Sequence, residues 1–336
     1  MKNLVLLATL TAGLNLALMS SVNGATYGGD ATGAVVTVTA TGTTIRAATN
    51  SLSISGGEAD AALSVGDIPG SATGGVVTLA ASALSSVVIG TGADTRAHAA
   101  MGAVGLTVSG NQISSDFLMA RSTASCGPTV GGSSELVNLV INGQPITVTG
   151  AANQTVTLSN GSVVINEQVP TVGGTSGELI VNALHVLTHD TITGQPIADV
   201  ALGTADAKID CAAGSSPGED WVSGAGWIEG LGGPGTKATF GFVAGPGGQP
   251  TRGHLTLKDN SAGQTIHGTV ITSFTECSIG HSEFGGTDTN SNPFAVQAAD
   301  IGDPGAGRDT FMISGAYSNS GTLGGGNIQT HGFLCP

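Results

Sequence analysis

The chain has 336 residues, 40% of them apolar and only 10% charged, with 55 glycines and a formal net charge of −14. That negative surplus repels phosphate backbones and argues against a nucleic-acid partner, while recurrent Val, Ile and Leu argue against disorder. Glycine follows no three-residue period, which excludes collagen, and the length exceeds a usual single domain, so two domains are expected.

Residues 1–24 carry the parts of a secretory signal. Lys2 precedes the apolar run Leu4-Val5-Leu6-Leu7-Ala8, and Val22 and Gly24 place small side chains before a cut ahead of Ala25. Thr9, Gly13 and Asn15 interrupt the apolar stretch, so a cleaved signal is favoured over a membrane span, and no cysteine near the cut supports a lipid anchor. The mature chain is expected to be secreted or held at the cell surface, with no membrane span once the signal is removed.

Residues 25–212 read as strand after strand. Val35-Val36-Thr37-Val38-Thr39, Val76-Val77-Thr78-Leu79 and Val163-Val164-Ile165 are short β-branched runs bounded by turn residues. Val76 to Val88 holds enough alanine to suggest a helix, but its Val-Val and Ser-Ser neighbours leave strand as the reading. Asn142-Gly143 and Asn160-Gly161 are hairpin turns by composition, the first joining Leu139-Val140-Ile141 to Ile146-Thr147-Val148 with Gln144-Pro145 lengthening the loop. Short strands at regular spacing predict an all-β domain of β-sandwich or jelly-roll type. A parallel solenoid is the competitor, without a fixed repeat to support it.

Residues 213–219 form a polar Gly/Ser/Pro linker, and residues 220–336 a smaller C-terminal antiparallel β domain. Its expected strands include Trp227-Ile228, Thr239-Phe240-Gly241-Phe242-Val243, His254-Leu255-Thr256-Leu257 and Thr269-Val270-Ile271-Thr272. Cys126 and Cys211 precede the linker; Cys277 and Cys335 follow it. Four cysteines allow three pairings. Export favours oxidation, and separate folding of two domains favours Cys126–Cys211 and Cys277–Cys335 over a zinc site, which scattered single cysteines do not suggest.

No coherent catalytic or cofactor-binding constellation emerges. Gly214-Ser215-Ser216-Pro217-Gly218 has serine-hydrolase spacing, yet Pro217 stands where the oxyanion-binding N–H should be. Gly230-Leu231-Gly232-Gly233-Pro234-Gly235 has dinucleotide-loop spacing but no βαβ context. His185 and His189 would stand about 13 Å apart on a strand, too far to share a metal ion. Asp300, Asp303 and Asp309 form the best acidic group, readable as a turn or as a weak calcium site. Trp221 and Trp227 are candidate stacking platforms for a glycan, although Trp227 also suits a core.

Ser122-Thr123-Ala124-Ser125-Cys126, Leu139-Val140-Ile141-Asn142-Gly143, Asn182-Ala183-Leu184-His185 and Asp210-Cys211, in that order, resemble the choice-of-anchor P family of bacterial surface proteins. Gly226-Trp227-Ile228, Phe240-Gly241-Phe242, Gly253-His254-Leu255, Asp303-Pro304-Gly305 and Gly326-Asn327-Ile328-Gln329 resemble the small domain that often follows it. The resemblance implies a secreted or surface protein of unknown molecular role and brings no catalytic residues. The chain departs from it in ending His331-Gly332-Phe333-Leu334-Cys335-Pro336, without a sorting motif. The expectation is a non-enzymatic structural, adhesive or glycan-binding protein whose partner is an extracellular glycan or another surface protein. The alternatives are a polysaccharide hydrolase with carboxylates scattered in sequence, or self-association into a filament through Thr- and Val-rich edge strands.

Overall fold

The computed structural model describes residues 25–211, 221–245, 251–278 and 280–331. The signal segment, the 213–219 linker and the expected Cys277–Cys335 bridge lie outside what is described. Fourteen described strands run to Asp210: β1 (Thr26–Gly28), β2 (Asp30–Val38), β3 (Thr43–Ser51), β4 (Gly57–Val65), β5 (Val77–Thr91), β6 (Asp94–Val108), β7 (Asn111–Ser125), β8 (Thr129–Val137), β9 (Val140–Ile141), β10 (Gln144–Pro145), β11 (Gln154–Leu158), β12 (Gly161–Gly173), β13 (Ser176–His189) and β14 (Pro196–Asp210). Nine more follow: β15 (Trp221–Glu229), β16 (Lys237–Gly245), β17 (Arg252–Asp259), β18 (Gln264–Ser278), β19 (His281–Asp288), β20 (Pro293–Ala299), β21 (Thr310–Gly315), β22 (Asn319–Thr322) and β23 (Gly325–His331).

The fold is all-β and antiparallel, in three sheets. The first has the order β11-β12-β13-β14-β2-β3, with β1 added on β14; the second has β10-β9-β7-β6-β5-β4, with β8 added on β7. They pack face to face over one apolar core that includes Val36, Val88, Leu118, Val181, Leu184 and Val200. The third, β22-β21-β20-β19-β18-β17-β16-β15-β23, curls as a half-barrel. It encloses a separate core in which the Phe240 and Phe311 rings stack with centroids 3.9 Å apart.

The second sheet is a middle layer. Val87 and Val88 are both fully buried although neighbours on a strand point to opposite faces. Val88 joins the core shared with the first sheet, whereas Val87 and Ile89 pack with Trp221 and Val243 of the third. Phe117, Met119 and Ala100 likewise meet Ala225, with Trp227 and Val137 at the margin. A sheet covered on both faces loses the inside/outside alternation, so the helix-like texture of Val76 to Val88 belongs to the doubly buried strand β5.

Glycine lets the third sheet approach this closely. A Cβ on Gly241 would stand 2.3 Å from Cβ of Ser85, and one on Gly102 would stand 2.8 Å from Cγ2 of Thr239. Charge pairs ring the apolar contact. Lys237 pairs with Asp116, His254 with Asp60, and Arg121 with Asp303 at 3.5 Å. His98 is buried within the same layer, where desolvation, aided by His254 and Arg121, lowers its pKa to about 3.

Two turns differ from expectation. Asn142 and Gly143 both adopt positive φ, 50° and 78°, and form the expected tight turn. Its second strand is Gln144–Pro145 rather than residues 146–148, since Gln144 pairs with Ile141 directly. At the other hairpin Leu158 pairs with Gly161, so Ser159-Asn160 make the turn. Gly161 instead serves close approach, because a Cβ there would lie 1.9 Å from the Leu187 carbonyl oxygen.

The Cys126–Cys211 disulfide is formed, with Cα atoms 5.6 Å apart and a sequence separation of 85. It joins the end of β7 to the end of β14 and so ties the first two sheets together.

Three measurements check this account. Gly241→Val should lower the unfolding free energy in urea by about 1–3 kcal/mol, because the β-layers must separate to admit it; an unchanged midpoint would refute the close approach. Replacing both Cys126 and Cys211 by Ser should cost roughly 2–5 kcal/mol in the same assay. For His98, the unfolded chain takes up a proton below its ordinary pKa of about 6.5 that the folded chain refuses down to about 3. Stability at this site is therefore present above pH 6.5 and lost as pH falls through that window. Wild type should lose more stability than His98→Gln between pH 7 and pH 4; equal losses would contradict a neutral, buried His98.

Candidate functional site

Chemistry requires polar groups that the fold has not already used. The exposed face of the first sheet carries many, and the fold uses them. Glu167, Asn182, Thr204, Thr32 and Thr49 are cross-strand neighbours in one row. Thr204 donates to Asn182 at 2.7 Å, Asn182 donates to Glu167 at 2.7 Å, and the Thr32 and Thr49 hydroxyls share a bond of 2.8 Å. His185 bridges Glu167 at 2.7 Å and Asp199 at 2.9 Å. Burial opposes its charge, but the two carboxylates outweigh it and raise its pKa to about 9. His185 and His189 lie on β13, so the strand reading of this pair holds.

The acidic candidates part company. Asp309 is fully buried and accepts from the backbone N–H groups of Ile301, Gly302 and Ile328 at 2.9, 3.2 and 2.8 Å. Asp300 accepts from the Thr330 backbone at 3.0 Å. Asp303 reaches outward to Arg121. A guanidinium beside Asp303 disfavours a second cation, and the three carboxylates do not converge as calcium ligands would.

The tryptophans are corrected as ligand platforms. Trp221 is 2% exposed, wedged between the second and third sheets. Trp227 packs its ring edge on Gly324, where a Cβ would fall 2.1 Å from Cη2, and the Lys237 ammonium lies 4.8 Å from its ring centroid. Neither offers a free face for a sugar. The Gly230–Gly235 loop joins β15 to β16, with the Leu231 N–H donating to Asp259 at 2.9 Å. The Gly214–Gly218 motif lies outside the described residues.

Buried polar atoms without a hydrogen-bond partner occur at several places in the described residues, and three of them, on Arg121, Ser134 and Glu135, line an open cleft where the second and third sheets part, at the β8 and β23 edges. A cleft of about 540 Å³ opens there, lined by Arg121, Thr123, Ser133, Glu135, Asp303 and Gln329 among others. Register places Arg121 on β7 opposite Ser133 on β8, and Met119 opposite Glu135 two residues on, so Arg121 and Glu135 project on the same side of the sheet. Gly131 leaves the floor low; a Cβ there would meet only Thr123.

The Arg121 side chain is 13% exposed. Its Nε donates to Ser133 at 3.3 Å, while Nη1 is buried without a hydrogen-bond partner. Glu135 Oε1 accepts from the Gly326 N–H at 3.0 Å; Oε2 is buried and unpartnered. Burial pushes the Glu135 carboxyl up, against the pull of the Gly326 N–H and Arg121. Such orphaned groups are rare in folded proteins and costly to keep. A second groove, about 650 Å³ on β19 to β22, has its Glu283 and Gln297 already bonded to each other at 2.7 Å.

Of the cleft residues, only Asp303 was a candidate ligand-binding residue in the sequence, while Thr123, Pro304 and Gln329 fell within the resemblance motifs. Arg121 and Glu135 come from different strands and meet the third sheet's residues only through the packing of layers. No family model matches the chain, and no curated protein does. A solved structure from Nitrosomonas europaea, provisionally named AttH, aligns over 93% of this chain and 93% of its own at 11% identity, with a TM-score of 0.24. Likeness at that level carries no argument about this chain's role.

Proposed function

We propose that this is an exported bacterial β-protein that works by binding rather than catalysis, and that the cleft between its second and third sheets is the binding site. The observation that supports this most is the presence, in one cleft, of a buried Arg121 nitrogen met only by the Asp303 charge and a buried Glu135 oxygen, neither with a hydrogen-bond partner among the described residues. Thr123, Ser133 and Gln329 add donors and acceptors around them, a set suited to a hydroxyl-rich ligand such as a short glycan. Recognition here is by hydrogen bonds, since neither tryptophan presents a ring. The surface setting rests on the form of residues 1–24 and on the resemblance to choice-of-anchor P proteins.

A second reading has its own support. Glu135, with its carboxyl pushed up by burial, and Asp303 line the same cleft, and two carboxyls with different environments are what glycoside hydrolysis uses.

One experiment separates the two. Purified mature protein is titrated calorimetrically with a panel of neutral and acidic oligosaccharides, and each mixture is assayed for new reducing ends. Binding without turnover, weakened roughly tenfold or more by Arg121→Gln at unchanged melting temperature, is expected. Turnover abolished by Glu135→Gln would replace the binding reading with the hydrolase.

A further inference from the structure

Resting on the reading that this cleft binds a saccharide, we infer that the ligand presents a carboxylate to Arg121, as an acidic, uronate-bearing saccharide does, and that Asp303 is the internal group it displaces.

Arg121 has the features of a carboxylate receptor whose fork is left incomplete. A guanidinium reaches its full strength with two parallel N–H···O bonds to one carboxylate. Here the Asp303 oxygen stands 3.5 Å from Nη1, a charge contact rather than a hydrogen bond, and Nη1 has no hydrogen-bond partner among the described residues. Asp303 cannot gain much from this contact, because its side chain is 68% exposed and keeps most of its hydration. Arg121, at 13% exposure, has lost most of its own. The pair is thus unequal: a desolvated cation held by a solvated anion on a turn. A ligand carboxylate entering the cleft could make both bonds to the fork and return Asp303 to water.

The surroundings suit an incoming anion attached to a sugar. Glu135 is the other carboxyl beside Arg121; its Oε1 is already engaged by the Gly326 N–H, and burial pushes its pKa up. Gly131 keeps the floor free of a side chain. Thr123, Ser133 and Gln329 are placed for ring hydroxyls, which an acidic peptide does not carry. The chain's net charge of −14 opposes an acidic ligand at long range, but that field is screened beyond roughly 10 Å in ordinary salt, whereas the partly buried contact is screened much less.

The test uses the mature protein, a uronic-acid tetramer, the same tetramer methyl-esterified, a neutral tetramer and a glutamate tetramer. Calorimetry should find the acid tetramer bound roughly tenfold or more tighter than its ester. Asp303→Asn should tighten the acid a further few-fold and leave the ester unchanged; Arg121→Lys should lose the preference for acid while melting as wild type does. If Asp303→Asn weakens the acid or leaves it unaltered, Asp303 is not the displaced group. If ester and neutral tetramers bind as well as the acid, with dependence on Arg121, the carboxylate inference falls while the cleft's binding role stands. Equal binding of the glutamate tetramer would overturn the saccharide assignment. No Arg121-dependent binding of any saccharide would sink the binding reading itself.

Discussion

The arrangement of this structure depends on the middle stretch of the second sheet, where β5, β6 and β7 are buried on both faces. In their middle stretches, β5, β6 and β7 divide their side chains between two cores by alternation, Val88 and Leu118 toward the first sheet, Val87 and Phe117 toward the third, with bulges near Ala83 and Ala103 shifting the phase along the strands. An antiparallel sheet more often keeps one face in water. Here that face is covered by the outer wall of a half-barrel whose own apolar centre lies elsewhere, around Phe240, Phe242 and Phe311. The covering sheet therefore contacts the middle layer with a face that is partly polar, and the consequences follow from that mismatch.

One consequence is the ring of charge at the joint. Asp116 and Arg121 of the second sheet each find an oppositely charged partner from the later part of the chain, and Asp60 meets the His254 ring there. Each of these pairs has one partly exposed member and so contributes little net stability, but leaving its more buried member without a partner would be costly, which penalises misalignment. Close backbone contact at Gly241 and Gly102 makes the same demand sterically. The cleft is the other consequence. Where the two sheets diverge at the β8 and β23 edges, Arg121 and Glu135 are already desolvated by the layers behind them but are not fully satisfied by those in front.

Local texture in the chain was informative wherever a local cause decides the outcome. The β-branched runs became strands, Asn142-Gly143 became a tight turn because both residues tolerate positive φ, and Pro217 removed a hydrolase motif on chemical grounds. Reading failed where neighbours in space decide. Gly161 looked like a turn residue, yet it is a strand residue that a cross-strand carbonyl forbids from carrying a Cβ. Trp221 was a candidate platform for a glycan, yet it is buried with Val87, Ile89 and Val243 where the second and third sheets meet. The three aspartates read as one cluster, but Asp309 turns inward to backbone N–H groups while Asp303 turns outward to an arginine more than a hundred residues earlier.

By itself the sequence determined an all-β chain and the placement of many of its strands, because strand propensity and turn chemistry act over short distances; it favoured Cys126–Cys211 among three possible pairings, and the fold formed that bridge. Only the tertiary structure decided that the second sheet is an interior layer, and that Arg121, Glu135 and Asp303 share a cleft. The physical reason is that strand parity states that a side chain points to one face or the other, without stating what that face meets. Burial of the Arg121 guanidinium, and with it the chemistry of the site, is created by the layer that packs against it.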